Sequence, residues 1–590
     1  MSAADVAGAA GSAPAGIETP PALGAATRNV VLRTMLASTV IFLVAGCLGG
    51  LLRQSQAGID TISPSSWYAI MTAHGLAAFV GWAGFALMGI SWWVLEESGF
   101  PLPRAALALA EATYWTMVAG VAGVVVTTLA LGFGGSWVFL YPLPFHSVGE
   151  WSELATGLFA ASVLLVGVSI LTWCASVLVT VLSPAAHGRG GSIGARLGAA
   201  LGFGYVSPRF ATTRRPVAFA VIPLTVIAID MIIATVPFAA LLVEMIVQAI
   251  DPSIGIDPLL AKGVLWWFGH PVVYLLLFPA VAVLYHLVPR YAGRPLVAGR
   301  LIVLAWLIAV VVNVIIGAHH MYLDFPSGSV QPLINTMMQP LTFAIVTPSA
   351  LSLYSLCATI WRSNLNWAIP MQFLFVAMCS WLVAGLQGLI NATIVLDLVV
   401  HNTLWVVGHF HNMALLNIGL VILAATYAVL PDLIGRPWYS ERLARWHLVL
   451  TTVGGYGSVI PWLLQGLDGA PRRWAVLPDR YATLTDIAIP FVALLFVAQA
   501  LFAYNLLRTL GMAYFRQLSP TGPWQRRDEL GAILAAPAPV LGIWAALAAP
   551  LAAGPLAVVI SLGGYRMGAR RAGLLGLGFA ATGIAIGLLH

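Results

Sequence analysis

Residues 264–288 read VLWWFGHPVVYLLLFPAVAVLYHLV, a run without a single aspartate, glutamate, lysine or arginine. A helix of about 20 apolar residues is long enough to cross the roughly 30 Å of hydrocarbon in a bilayer. Similar runs recur along the chain, which is 60% hydrophobic and 8% charged, with a mean hydropathy of +0.93. A soluble domain has about a quarter of its residues charged. The composition therefore excludes a soluble protein and predicts an all-α fold, a polytopic transmembrane helix bundle.

The apolar runs divide the 590 residues into three parts. Residues 1–28 are rich in Ala, Gly and Pro and predict a disordered tail, because they lack the apolar core of a cleaved signal peptide. Residues 29–510 predict a core of twelve helices, and residues 511–590 predict two or three accessory transmembrane helices. The twelve predicted spans are 31–53, 67–95, 105–133, 153–183, 216–248, 258–288, 298–323, 332–361, 366–394, 399–430, 444–467 and 483–508.

Arginine accumulates in the connections that follow even-numbered spans. These arginines include Arg189, Arg196, Arg209, Arg214, Arg215, Arg290, Arg294, Arg436, Arg442, Arg445, Arg508, Arg516, Arg526 and Arg527. Because arginine-rich loops stay on the cytoplasmic side, these connections and the N-terminus are predicted to be cytoplasmic. The net charge of +6 therefore indicates topology and not nucleic-acid binding. One loop on the opposite side breaks the pattern with Arg472, Arg473 and Arg480.

Six of the twelve histidines form the main functional signal of the chain. They are His74 in the second span, His270 in the sixth, His319 and His320 in the seventh, and His409 and His411 in the tenth. Counting 1.5 Å per residue from the outer ends of the predicted spans places all six at depths of about 5–18 Å. A lone buried histidine is as often a packing residue as a functional one. Six that share one side of the membrane favour a function.

The spacing of these residues indicates metal binding. Imidazole is a ligand common to copper, iron and zinc. His409 and His411 are two residues apart, about 200° around a helix, so one helix can serve two metals on opposite faces. His270 and Tyr274 are four residues apart and share a face, which places a phenol beside whatever His270 binds.

Four motifs, in this order and spacing, resemble the catalytic subunit of haem–copper oxygen reductases. They are Gly-His-Pro-Val-Val-Tyr (269–274), His319-His320, Asp-Leu-Val-Val-His-Asn-Thr (397–403) and Gly-His-Phe-His (408–411). The resemblance covers roughly residues 30–510. It implies a terminal respiratory oxidase, a cytochrome c oxidase that reduces O2 to water with proton uptake and proton pumping. Val272 stands where many A-type members have glutamate, and this departure favours the B-type branch.

The resemblance also implies two haems and one copper, held by the six histidines. His74 and His411 would be the axial ligands of a low-spin haem, of B type, and His409 would be the ligand of a high-spin haem of A type. The copper would be bound by His270, His319 and His320. Tyr274 would be cross-linked to His270 and would act with it in catalysis.

Further residues match positions that lie near the haem propionates or on the proton path in this family. Asp397, His401, Arg472 and Arg473 match positions near the haem propionates, and bidentate pairing of guanidinium with carboxylate suits the two arginines. Tyr285, Thr342, Ser349 and Ser352 match a B-type proton path. One tyrosine of that path is replaced by Val281, so a bridging water is expected there. Ordinary hydrogen bonds between helices are an equally good reading of these hydroxyl groups.

The resemblance implies partners as well as cofactors. They are a subunit II with a dinuclear copper centre, an outer electron donor such as cytochrome c, O2 and the lipid of a bacterial or archaeal cytoplasmic membrane. Two other functions remain open at this point. A nitric oxide reductase would have iron in place of copper, and a haem-free transporter would use the histidines as proton relays. Asp230 and Glu244 in the fifth span have no role in any of these readings.

Overall fold

The computed structural model of the chain describes residues 23–59, 62–137, 143–147, 149–187, 191–212, 216–297, 299–322 and 331–517. Across these ranges the chain forms helices and connecting loops and no strand. The tail predicted for residues 1–22 and the accessory helices predicted beyond residue 517 lie outside the described residues.

Twelve of the helices in the described ranges are long and apolar enough to cross a membrane. They are α1 Ala25–Gln56, α2 Pro64–Glu97, α3 Arg104–Ala130, α4 Glu153–Val181, α5 Val221–Ile250, α6 Pro258–Ala292, α7 Gly299–Met321, α8 Pro332–Ile360, α9 Ile369–Ala392, α10 Leu404–Ile434, α11 Glu441–Leu467 and α12 Asp479–Gly511. Their number and order confirm the predicted transmembrane bundle. We call the end of the bundle where α1 ends and α2 begins the histidine end, and the other the opposite end.

Several predicted boundaries differ from the structure by a few residues, and two of these differences have a clear local cause. Residues 25–28 belong to α1 and not to the tail, because the Gly24 N–H donates to Glu96 Oε1 of α2 at 2.6 Å and fixes the start of the helix. The tenth span was predicted to start at 399, but the structure has a short helix Ile394–Val400, then a turn, and then α10. Asn402 has a left-handed φ of 56°, and the Thr403 hydroxyl oxygen accepts the Trp405 N–H at 3.2 Å, which begins α10.

Three of the spans leave α-helical geometry next to a histidine of the motifs. In α2 a π-helical segment, Ala77–Gly84, follows His74, and in α10 another, Asn412–Gly419, follows His411 directly. The end of α7 tightens into a 3₁₀ helix, Ile316–Met321, which carries His319 and His320. Such irregular turns widen or narrow a helix locally and are frequent at functional sites.

Small residues set the distance between the helices that carry the site. A Cβ added at Gly317 of α7 would lie 2.3 Å from the backbone oxygen of Trp266 in α6. A Cβ at Gly49 of α1 would lie 2.6 Å from His74 Cε1. Glycine thus lets neighbouring helices approach closely where packing rather than water exclusion drives association.

Candidate metal centre

His270, His319 and His320 form a group in which one nitrogen from each ring lies within 4.8 Å of the others. His270 Nδ1 is 3.2 Å from His320 Nε2, and the ring centroids of His270 and His319 are 4.6 Å apart. Nitrogens that bind one ion lie at most about 4 Å apart, twice a metal–nitrogen bond of about 2 Å. Small ring rotations therefore bring all three to a single ion. His270 Nε2 is buried without a hydrogen-bond partner.

Two neighbours hold this group in place. The Thr342 hydroxyl donates to the Met338 carbonyl at 2.7 Å, so its oxygen accepts from His319 Nδ1 at 2.9 Å. With the proton on Nδ1, the Nε2 lone pair of His319 is available to a metal, as is usual for ligating histidines. The Trp266 ring stacks on His320 at 4.2 Å with an angle of 13°. Trp266 was missed by sequence reasoning, although it lies four residues before His270 on the same helix.

Tyr274 lies beside this histidine group, as its spacing predicts. Its ring centroid is 4.8 Å from that of His270, with an angle of 55° between the planes. On its other side Phe278 packs at 4.8 Å. The phenol is therefore fixed between a candidate ligand and an apolar ring. The cross-link to His270 stays a prediction.

His74 and His411 face each other across a gap. Their ring centroids are 6.2 Å apart and their planes are 7° from parallel. Two imidazoles that bond one ion from opposite sides at about 2 Å each have centroids about 6 Å apart. His74 Nδ1 bonds the Ala45 carbonyl at 2.8 Å and His411 Nδ1 bonds the Val407 carbonyl at 2.9 Å. Both Nε2 atoms are thus left as acceptors, which fits the axial ligation of a haem iron.

His409 points away from His411, in agreement with their 200° separation. A Cβ at Gly388 of α9 would lie 3.3 Å from His409 Cε1, so His409 faces α9. His411 faces α2 and also packs against Trp462 at 4.7 Å between ring centroids. One turn of α10 therefore offers imidazoles to two separate sites.

A buried cation beside Trp462 was missed by sequence reasoning. Arg53 is 2% exposed, and its guanidinium lies 5.5 Å from the centre of the Trp462 ring. Its Nη2 donates to Gln465 Oε1 at 3.0 Å. Its only sequence signal was an arginine at the end of an apolar run, which equally describes a residue at the membrane surface.

Two segments at the histidine end carry the four residues matched to haem propionates. Asp397 lies in the short helix Ile394–Val400 and His401 follows it, whereas Arg472 and Arg473 lie in the connection between α11 and α12. His401 Nδ1 bonds Asp397 Oδ2 at 2.9 Å. Arg472 donates to Asn402 Oδ1 through Nε at 3.0 Å and through Nη2 at 2.6 Å, and its backbone N–H bonds the Asn402 carbonyl at 2.9 Å. Asn402 was not predicted, and it orients Arg472.

Arg473 differs from Arg472 in its surroundings. Within the described ranges no carboxylate forms an ion pair with it, and burial lowers the pKa of its guanidinium. A partly buried cation without an anion gains most from an anionic partner. Arg473 is therefore suited to bind a carboxylate group such as a haem propionate.

Tyr322 is a second group in this region that sequence reasoning missed. It follows the two histidines of α7 and is fully buried, with its hydroxyl 3.4 Å from Thr342 Oγ1. The pKa of Tyr322 is raised above its ordinary value, chiefly because the phenol is buried. The Thr342 hydrogen bond opposes this shift and the Asp397 charge adds to it.

The structure brings two of the four proton-path residues together. The hydroxyls of Tyr285 and Ser352 are 2.6 Å apart, and Trp306 Nε1 donates to Tyr285 at 3.3 Å. Ser349 lies one turn from Ser352 in the same helix, α8. Thr342 does not join them, because it contacts His319 at the histidine end.

A narrow gap lies beside the part of α6 that runs from Tyr274 to Tyr285, and most of the side chains that line it are apolar. It is lined by Leu277, Phe278, Val281, Trp306, Pro348, Ser349, Ser352 and Trp381. The gap is too narrow for a water molecule. The water expected at Val281 therefore requires these side chains to move.

Comparison with known proteins gives one family. A family model described as "Cytochrome C and Quinol oxidase polypeptide I" matches residues 29–515. A solved heme–copper terminal oxidase dimer has a TM-score of 0.67 and 20% identity, with 82% of this chain and 84% of that one covered. That likeness concerns the fold alone.

Curated relatives named cytochrome c oxidase polypeptide 1 or subunit 1 match this chain at moderate identity. Cytochrome c oxidase polypeptide 1 of Halobacterium salinarum is 30% identical over 46% of this chain and 45% of the relative. Subunit 1 of Thermus thermophilus is 32% identical over 43% and 49%, so these two matches span about half the length of each relative. Subunit 1 of Cereibacter sphaeroides is 26% identical over 76% of this chain and 77% of the relative.

Proposed function

This chain belongs to the cytochrome c and quinol oxidase polypeptide I family, and we propose that it is the catalytic subunit of a terminal oxidase that reduces O2 to water. The observation that carries the proposal is Tyr274 packed against the three-histidine group. A nitric oxide reductase would need acidic side chains there, and within the described ranges that group contains only histidines.

The donor set fits the cofactors of the family. His270, His319 and His320 would hold copper, His74 and His411 a low-spin haem, and His409 a high-spin haem. When bound, these groups supply the electron transfer and the oxygen chemistry. We also propose haem B at the low-spin position and an A-type haem at the high-spin position. Separately, Val272 favours membership of the B-type branch of the family.

The chain's own groups would supply orientation and protons. Thr342 holds the tautomer of His319, and Arg473 offers a cation to a carboxylate edge. Tyr274 has a phenol proton to donate next to His270. Tyr285 and Ser352 would carry protons from the opposite end of the bundle. We propose that this end and the N-terminus are cytoplasmic, which the arginine distribution favours.

Electrons would then enter at the histidine end, on the outer side of a bacterial or archaeal cytoplasmic membrane. We expect the partner to be a subunit II with a dinuclear copper centre, which docks near the loop of Arg472 and Arg473 and receives electrons from cytochrome c or a similar donor. The opposite polarity of electron and proton entry moves charge across the membrane in each cycle. Proton pumping in addition is part of the proposal.

The test is composition and activity of the enzyme purified with its partner subunits. We expect about one copper and about two haem irons per chain, and oxygen uptake with reduced cytochrome c. Absence of copper with about three irons would establish a nitric oxide reductase instead. A reduced-minus-oxidised spectrum without haem bands would establish the transporter. Haem extraction identifies the two haem types, and quinol as donor tests the alternative electron source.

The proposed proton route makes a separate prediction. Ser352→Ala or Tyr285→Phe removes one hydroxyl of the 2.6 Å pair, and we expect oxygen uptake to fall at least about tenfold, since proton transfer contributes about 100-fold or more to such reactions. The haem spectrum should not change. Ser169→Ala is the matched control, because Ser169 donates to the Thr113 carbonyl between two other helices. Equal oxygen-uptake rates for the Ser352 and Ser169 variants would show that Tyr285 and Ser352 form an ordinary interhelical hydrogen bond and carry no protons.

A further inference from the structure

Asp230 is a fully buried carboxyl group in the first half of α5. It lies nine residues from the start of that helix at Val221, about 14 Å along its axis. The ion pairs of the described ranges do not include it. Its one hydrogen bond in the part of the chain that the structure describes comes from Asn313 of α7, whose Nδ2 donates to Oδ2 at 2.7 Å. The buried thiol of Cys174 in α4 is the titratable group that interacts with it electrostatically.

The other oxygen of the Asp230 carboxyl group and the oxygen of the Asn313 amide have no hydrogen-bond partner among the described residues. Asp230 Oδ1 and Asn313 Oδ1 are both buried without a hydrogen-bond partner. In an ionised carboxylate both of these oxygens are acceptors, so neither can satisfy the other. A protonated carboxyl group has one donor, and a primary amide has an acceptor beside its donor. The 2.7 Å bond from Asn313 Nδ2 to Asp230 Oδ2 already places the amide against the carboxyl group. A proton on Asp230 Oδ1, shared with Asn313 Oδ1, would satisfy both remaining oxygens and close a two-bond ring between the side chains.

The alternative, an ionised Asp230, has no compensation in the structure. An unpaired charge in an apolar interior is costly, and such groups become neutral or acquire a partner. Among the described residues, the only side chain that forms a hydrogen bond with Asp230 is the Asn313 amide. A half-satisfied buried pair is unfavourable, whereas a fully satisfied one stiffens its surroundings.

We propose that Asp230 and Asn313 form a proton-binding site. In this site Asp230 is protonated on Oδ1, and this O–H group donates a hydrogen bond to Asn313 Oδ1. The ring ties α5 to α7 six residues before His319, about 9 Å along the axis. It fixes α7 just before the 3₁₀ segment that carries His319 and His320. The proton is thus a structural ligand. It lies on a different helix pair from Tyr285 and Ser352 and does not depend on the proposed reaction.

Infrared absorption of the intact enzyme tests the proton directly. The protein is labelled with aspartate that carries ¹³C in the side-chain carboxyl group and measured at neutral pH. We expect a carbonyl band of a protonated aspartate that shifts with the label and in D2O. The band should be missing in Asp230→Asn and should persist in Asp251→Asn, whose carboxyl group is exposed. An identical carbonyl region in wild type and Asp230→Asn overturns the proposal.

Thermal stability gives a second test that does not need the band. Asp230→Asn rebuilds the ring as an amide pair, whereas Asp230→Leu has a similar shape and leaves Asn313 without a partner. We therefore expect Asp230→Asn to keep the midpoint of heat-induced unfolding and Asp230→Leu to lower it by a few degrees. Equal destabilisation by both variants would mean that the negative charge itself is needed, and this result would overturn the proposal.

Cys174→Ala should behave like wild type in both experiments. Loss of the infrared band in that variant would assign the proton to a contact with the thiol and would overturn the ring.

Discussion

Replacing Tyr274 by phenylalanine is expected to lower oxygen uptake by at least about 100-fold, the usual contribution of a positioned proton donor. The substitution removes only the hydroxyl. The ring that packs against His270 and Phe278, at 4.8 Å from each, is retained. Copper and haem contents should therefore equal those of the wild type, and the loss should appear in oxygen uptake with reduced cytochrome c.

Tyr205→Phe is the matched control for this experiment. Its hydroxyl donates to the Val217 carbonyl at 2.8 Å, in a connection at the opposite end of the bundle. That variant should keep the wild-type rate. If Tyr274→Phe also keeps it, the phenol has no part in the reaction and the proposed function loses its principal support.

Replacing His411 by alanine is expected to abolish one haem and leave the other. The haem content should fall from about two per chain to about one, because the low-spin iron would lose one of its two axial imidazoles. His409 faces α9 and not α2, so the high-spin site and the copper should remain. Pyridine haemochrome analysis and the reduced-minus-oxidised spectrum measure the loss, and electron input from the donor should stop with it.

His447→Gln supplies the control, since His447 is also a fully buried histidine. Its two ring nitrogens are engaged with Tyr427 at 3.0 Å and Gln499 at 3.2 Å, so it has no nitrogen left for a metal. Two haems should remain in that variant. Retention of a bis-imidazole spectrum in His411→Ala would show that His74 and His411 are not the axial pair.

Helix periodicity explains why much of the candidate site was predictable. The four-residue spacing of His270 and Tyr274 determines that their side chains share a face, and the two-residue spacing of His409 and His411 determines that theirs do not. The lengths of the apolar runs likewise determine the number and order of the twelve spans. Each of these predictions depends only on positions within one helix.

Contacts between helices and loops were not predictable in this way. Thr342 was matched to the proton path, but the break in α8 at Ile345 separates the helical segment of Thr342 from that of Ser352, and Thr342 contacts His319. Asn402 orients Arg472 only because a left-handed turn interrupts an apolar run that reads as one continuous helix. Such features arise from the packing of distant segments, which a single sequence does not encode as a pattern.

The closed gap at Val281 has an electrical consequence. A membrane voltage of about 100 mV favours the return of each proton by about 2.3 kcal/mol. On the proposed proton route, a permanently hydrated channel from Tyr285 to Tyr274 would let protons held near the histidine group return to the opposite end of the bundle. Leu277, Phe278 and Val281 place apolar side chains between the two tyrosines along α6. These side chains would hinder that return, and protons would cross this part of the route only when the side chains move apart.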